Sequence, residues 1–127
     1  MRFGYCTDTG ILTAPMLEKL RHCDGIVLES NHCPDMLANG PYPEFLKRRI
    51  RSKHGHLSNK DAADGIRLLG TDLPQVILAH LSETNNTTER VTDSARDGLG
   101  LLYDEMNVIV ATPVSYTHLT LPTKRIV

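Results

Sequence analysis

Three points in the chain change abruptly from apolar to polar, and each delivers side chains of the metal-binding or acid–base type. Arg2-Phe3-Gly4-Tyr5-Cys6-Thr7 runs into Asp8-Thr9-Gly10, and Ile26-Val27-Leu28 runs into Glu29-Ser30-Asn31-His32. Val76-Ile77-Leu78-Ala79 runs into His80, followed by Leu81-Ser82-Glu83-Thr84-Asn85-Asn86. A short apolar run with β-branched residues reads as a buried strand. Asp8, Glu29, His32 and His80 are therefore expected where buried strands leave a sheet, the edge at which open α/β sheets bind ligands. Taken singly, each has a plain structural explanation. Asp8 before Thr9-Gly10 can close an Asx-type turn, and His80 can hydrogen-bond a loop. Three equivalent strand ends carrying such groups point instead to a single site. His56, in Gly55-His56-Leu57-Ser58-Asn59, is a further candidate, because Ser58 is a good helix N-cap and the position just before a helix N-terminus suits a group handling anionic oxygen.

The elements that must position these residues follow in order. A strand spans Arg2 to Thr7. Thr13 caps a helix with Pro15 in its first turn and Met16, Leu17 and Leu20 on its apolar face. After the strand at Ile26–Leu28, residues 34–43 read as loop. Glu44 to Arg51 reads as a basic helix within the run Lys47-Arg48-Arg49-Ile50-Arg51-Ser52-Lys53. That run is a solvated helix face or a contact for a phosphate backbone. A helix capped by Ser58 ends at Gly70, and a strand follows Leu73-Pro74. Thr87 or Thr88 caps a helix through about Asp104, and Asn107–Ala111 is a last strand. The order β-α-β-α-α-β-α-β predicts a layered α/β architecture.

The totals agree with one modest folded domain: 127 residues, 40% hydrophobic, 23% charged. A net charge of −1 argues against a broad nucleic-acid-binding surface, while a local patch is compatible with it. No apolar run is long enough to cross a bilayer, and the N-terminus lacks a signal-peptide core. Cys6, Cys23 and Cys33 form no paired framework, which fits a reducing cytoplasm.

Five ordered motifs together resemble a known family: Thr7-Asp8-Thr9-Gly10, Leu28-Glu29-Ser30-Asn31-His32, Gly40-Pro41-Tyr42-Pro43, Gly55-His56-Leu57-Ser58-Asn59, and Leu78-Ala79-His80-Leu81-Ser82-Glu83-Thr84-Asn85-Asn86. Their arrangement resembles the C-terminal half of metallo-β-lactamase-fold hydrolases, in the WalJ/YycJ branch of nucleases and phosphodiesterases. The resemblance implies half of an αββα sandwich, two divalent metals (Zn or Mn), and a nucleic-acid or small phosphodiester substrate. Asp8 matches the bridging carboxylate and His80 the last histidine ligand. His56 matches a histidine near the scissile phosphate, and Glu29 and His32 belong to a motif lining the site. An Asp bridges well because each carboxylate oxygen can take one metal, while neutral imidazole suits Zn and Mn.

The chain departs from the family in lacking the H-x-H-x-D-H motif. His54-Gly55-His56 only imitates it, with Ser58 and Asn59 where Asp and His are needed. The expectation is a partial metallo-β-lactamase-fold domain over residues 1–112, inactive without the missing half. Residues 113–127 read as the translation of a transposase-type sequencing adapter, so His118 is not counted as a ligand. Two rivals have weaker support. A receiver-like α/β module with Asp8 as phospho-acceptor lacks the acidic pair on an earlier strand. A serine hydrolase using Ser58 lacks a G-x-S-x-G elbow.

Overall fold

The structure, a computed structural model, describes residues 2–70 and 75–111. The proposed tail at 113–127 and the Leu73-Pro74 lead-in lie outside the described residues. Strands β1 (Phe3–Cys6), β2 (Gly25–Glu29), β3 (Gln75–Ala79) and β4 (Asn107–Val110) pair in parallel in the order β1-β2-β3-β4. Helix α1 (Ala14–Arg21) joins β1 to β2. Helices α2 (Pro34–Asn39), α3 (Glu44–Arg51) and α4 (Asn59–Leu69) lie between β2 and β3, and α5 (Thr88–Leu99) and α6 (Leu102–Glu105) between β3 and β4. This is the α/β class that the alternating pattern predicts.

Strand pleating divides the apolar residues into two groups. Ile26, Leu28, Val76 and Leu78 pack with Leu20 of α1, Ala62, Ile66 and Leu69 of α4, and Val91, Ala95 and Leu99 of α5. The alternate residues Val27, Ile77 and Ala79 form a smaller cluster with Ala111 and the partly buried Tyr5. Crossovers between parallel strands are right-handed as a rule, so a strand order that never reverses sends its helices to one face. A receiver-like sheet has a reversal in its order and carries helices on both faces. The sequential order here lacks that reversal.

Helix boundaries follow the caps. Thr13, Ser58 and Thr87 each accept a hydrogen bond from the third backbone N–H of the helix they start. Two expectations change. The stretch expected to be loop contains α2, which begins with Pro34 in its first turn, where the fixed φ of proline is already helical. The helix expected to reach Asp104 stops at Leu99, and Gly100 at φ 56° ends it before α6. Glycine takes this left-handed backbone without a side-chain clash.

One glycine in the Thr7–Gly10 motif is fixed by packing. Gly10 donates its N–H to the Lys53 carbonyl at 2.9 Å, and a Cβ on it would collide with the Ser52 carbonyl oxygen. The loop after β1 is thereby pressed against the end of α3. Gly65 in α4 differs, because its added Cβ would meet only the side chain of Leu12. We expect Gly10→Ala to cost about 2 kcal/mol or more in urea unfolding. Gly65→Ala should be within about 1 kcal/mol of neutral, since helix propensity offsets the shift of Leu12.

Candidate metal centre

Glu29 is the last residue of β2 and is fully buried, at 0% exposure. Its Oε1 accepts the Asp8 backbone N–H at 2.7 Å. Its Oε2 accepts from His56 Nδ1 at 2.5 Å and from His80 Nδ1 at 2.8 Å. A carboxylate only accepts, so both imidazoles must present Nδ1–H to it. In the neutral ring Nε2 is then the nitrogen that carries the lone pair. Glu29 thus selects the tautomer of two histidines at once.

Asp8 completes the group from the end of β1. Its Oδ1 lies 3.8 Å from His56 Nδ1 and 4.0 Å from His80 Nδ1, beyond hydrogen-bond range. Its side chain is 69% exposed, so the carboxylate stays open to a further partner. One donor atom each from Asp8, Glu29, His56 and His80 can be chosen so that all lie within 4.8 Å of one another. The two imidazole centroids are 5.8 Å apart. Two carboxylates with two imidazoles are a donor set that can hold a divalent metal ion. Of the residues expected from strand ends, Asp8, Glu29 and His80 meet, joined by His56, while His32 does not.

Backbone conformation singles out the same positions. Asp8 (φ 60°) and His80 (φ 64°) are the non-glycine residues with positive φ among those described. Such a backbone is uncommon for a side-chain-bearing residue, and it persists only where surrounding contacts enforce it. At Asp8 one such contact is the N–H bond to Glu29. At His80 they include the imidazole bond to Glu29 and the bond from Asn31 Nδ2 to the His80 carbonyl at 3.0 Å.

The three loops are also tied to one another. Ser30 N–H donates to the Ala79 carbonyl and Ser82 N–H to the Asn31 carbonyl, at 2.9 and 2.8 Å. Asn31 N–H donates to the Leu57 carbonyl and Asn59 N–H to the His32 carbonyl, at 2.9 and 2.8 Å. Beneath them Ser30, Asn59 and Asn86 form a buried side-chain network. Ser30 Oγ donates to Asn59 Oδ1 at 2.7 Å, Asn59 Nδ2 to Asn86 Oδ1 at 2.8 Å, and Asn86 Nδ2 to the Ser30 carbonyl at 3.0 Å.

His32 stands outside this donor group. Its ring is buried, with Nδ1 3.3 Å from Asn31 Oδ1, and its backbone pairs with Ser58. The basic run divides too. Lys47 is buried and donates Nζ to the Ala38 carbonyl at 2.8 Å, at the end of α2. Arg48, Arg49, Arg51 and Lys53 remain exposed. The roles of Asn59 and Asn86 had no individual signal in the sequence beyond membership of the motifs. Amide side chains next to helix caps are common, and only tertiary contact turns them into a buried network.

The fold and the donor set define a class: a parallel α/β domain with a mixed carboxylate–imidazole group at the C-terminal edge of its sheet. By sequence, the chain is a WalJ/YycJ-like polypeptide. It is 38% identical over 124 residues to the Exodeoxyribonuclease WalJ of Streptococcus pneumoniae serotype 2 strain D39, covering 93% of this chain and 46% of that protein. The WalJ of strain R6 gives the same values. The Exodeoxyribonuclease YycJ of Bacillus anthracis is 43% identical over 89 residues, covering 69% of this chain and 34% of that protein. The chain thus spans about half the length of the WalJ proteins that it matches. The 93% share exceeds what residues 1–112 make of the chain, so the aligned span runs into the 113–127 segment. No protein-family model matches. Among the described residues, no helix is long and apolar enough to cross a membrane.

Two histidines near the group shift in opposite directions. The hydrogen bond to Glu29 raises the His80 pKa above the usual 6.5, partly opposed by burial. Burial lowers that of His32, with the nearby His56 adding to the effect. For His80 the stabilisation is complete below pH about 6.5 and is lost as pH rises through the folded pKa. For His32 it is present above pH about 6.5 and is lost as pH falls through the folded value. In metal-free protein, imidazole NMR titration should place His80 above and His32 below the unfolded value, and Glu29→Gln should bring His80 down. The backbone at His80 gives a second expectation. His80→Gly should be more stable than His80→Ala by about 1 kcal/mol in chemical denaturation, because only glycine accepts positive φ freely.

Proposed function

We propose that this chain carries one half of the active centre of a metal-dependent phosphodiester hydrolase of the metallo-β-lactamase fold, acting on DNA. The observation that carries this reading is the meeting of Asp8, His56 and His80 on the single buried carboxylate of Glu29. It is supported by the likeness to two exodeoxyribonucleases, at 38% and 43% identity. In this reading Asp8 and His80 would hold divalent metal, Zn or Mn, which when bound would supply a nucleophilic water and neutralise phosphate charge.

The chain's own residues do the rest. Glu29 holds His80 Nδ1–H, leaving Nε2 as the ligand nitrogen of the neutral ring. Glu29 likewise orients His56, which steadies a phosphoryl oxygen and, when protonated, gives its proton to the leaving 3′ or 5′ oxygen. The electron pair of the broken P–O bond stays on that oxygen, and the proton from His56 neutralises it. The exposed Arg48 and Arg49 on α3 suit the phosphate backbone. His32 supports the loop next to Glu29 through its backbone.

Asp8 and His80 alone are too few for a catalytic zinc pair, since each such zinc typically takes three protein ligands and a water. The 127-residue chain should therefore not hydrolyse bis(p-nitrophenyl) phosphate with Mn or Zn. Adding the remaining half of a full-length relative should restore turnover. Robust turnover by the chain alone, abolished by Asp8→Ala, would overturn the half-centre reading. No turnover even in a complete, metal-loaded protein would overturn the hydrolase reading. In such a complete protein His56→Ala should lower turnover by about 100-fold or more while metal content stays near normal. Asp8→Ala should lose both. Metal lost in proportion to activity in His56→Ala would show that His56 is a ligand instead.

A further inference from the structure

Beside His56 the surface opens into a hollow of about 470 Å³, with Tyr42, Leu46 and Ile50 among its apolar lining and Asn31, Ser82 and His56 among its polar lining. We propose that this hollow is a nucleobase subsite, in which the base of a strand-terminal deoxynucleotide stacks on Tyr42 while its phosphate lies at His56. The proposal rests on the hydrolase reading and names the part of the substrate that this chain itself recognises.

The shape of α3 is the first argument. Leu46 and Ile50 are one helical turn apart and share a face, and Tyr42, in the loop just before the helix, lies beside them. This apolar stripe lines the hollow. Phe45, 69% exposed, and the exposed Arg48 and Arg49 lie on a different face. One short helix thus lines a hollow with apolar groups and shows cations to solvent. The volume falls in the range of small-ligand sites. An aromatic ring and two aliphatic side chains suit the flat face of a base, since every base can stack.

Polar groups give the orientation. The Ser82 hydroxyl oxygen accepts the Asn85 N–H at 3.0 Å, so its own proton is directed elsewhere and can be donated to a base acceptor. Asn31 is committed at both ends, to the His80 carbonyl and toward His32 Nδ1, and serves as wall. Glu83 also lines the hollow. Its carboxylate repels phosphate and can accept from an exocyclic amino group. Of the lining side chains, His56 is the one held by Glu29. Phosphate is therefore favoured at His56 and the base at Tyr42 and Glu83.

The test is a binding titration of the whole 127-residue chain with dAMP and with 2-deoxyribose 5-phosphate, which lacks the base. The expected result is roughly tenfold tighter binding of dAMP, with Tyr42 ring protons shifted upfield. Tyr42→Ala should abolish the difference and leave the affinity for deoxyribose 5-phosphate unchanged, while Tyr42→Phe should keep the difference. Equal affinities, no dAMP binding, or a base advantage that survives Tyr42→Ala would each overturn the subsite. Should Tyr42→Ala fail to fold, the ring shift in the wild type and the Tyr42→Phe variant decide the matter. The hydrolase reading fails separately, by absence of turnover in a complete, metal-loaded protein.

Discussion

The structure depends on one buried carboxylate. An ion removed from water is costly unless its lone pairs are met by donors and its charge is balanced. Glu29 at the end of β2 is met by a backbone N–H from the β1 loop and by two imidazoles from two other loops. Each partner comes from a different segment, so the carboxylate is satisfied only when all three are in place. Satisfying the charge and assembling the site are therefore the same event. A hydrophobic residue at position 29 would fit the strand as well, but nothing would then select the histidine tautomers.

The arrangement carries strain at the residues with the most chemical reach. Asp8 and His80 both leave their strands with positive φ. Turning the backbone at the strand end keeps each residue beside Glu29 instead of letting the strand run past it. The cost is local, of order 1–3 kcal/mol at such positions, and the loop–loop bonds around Asn31, Asn59 and Asn86 oppose its relaxation. These amides lie in a buried region where an unmet polar group is itself costly. The network therefore favours one loop arrangement, as well as adding stability.

Helix α3 shows how a single charge run can serve several purposes. Lys47 is consumed at the end of α2, where its ammonium meets the Ala38 carbonyl. Arg48 and Arg49 face solvent, and Leu46 and Ile50 line the hollow beside His56. The Gly10 contact presses the β1 loop against the last turn of the same helix. The position of Asp8 is thereby coupled to the position of α3.

The sequence by itself determined the α/β class, most element boundaries and the chemical types at the strand ends. Those features are local. Apolar runs form strands, Thr13, Ser58 and Thr87 cap helices, and the apolar-to-polar switches mark where each strand leaves the core. The sequence also brought Asp8, Glu29, His56 and His80 into one candidate list, through five motifs in a fixed order. It did not separate Glu29 from His32, which share a motif three residues apart. The structure puts Glu29 at the centre of the group and His32 outside it. It also revealed α2, the break at Gly100, the burial of Lys47 and the positive φ of two site residues. The burial of Lys47 and the backbone at Asp8 and His80 depend on contacts between segments, such as His80 with Glu29, 51 residues apart. Local propensity carries no information about which distant donor will reach a buried acceptor. The sheet order, which sets the end of β2 between those of β1 and β3, brings Glu29 to Asp8 and His80, and the loop before α4 adds His56.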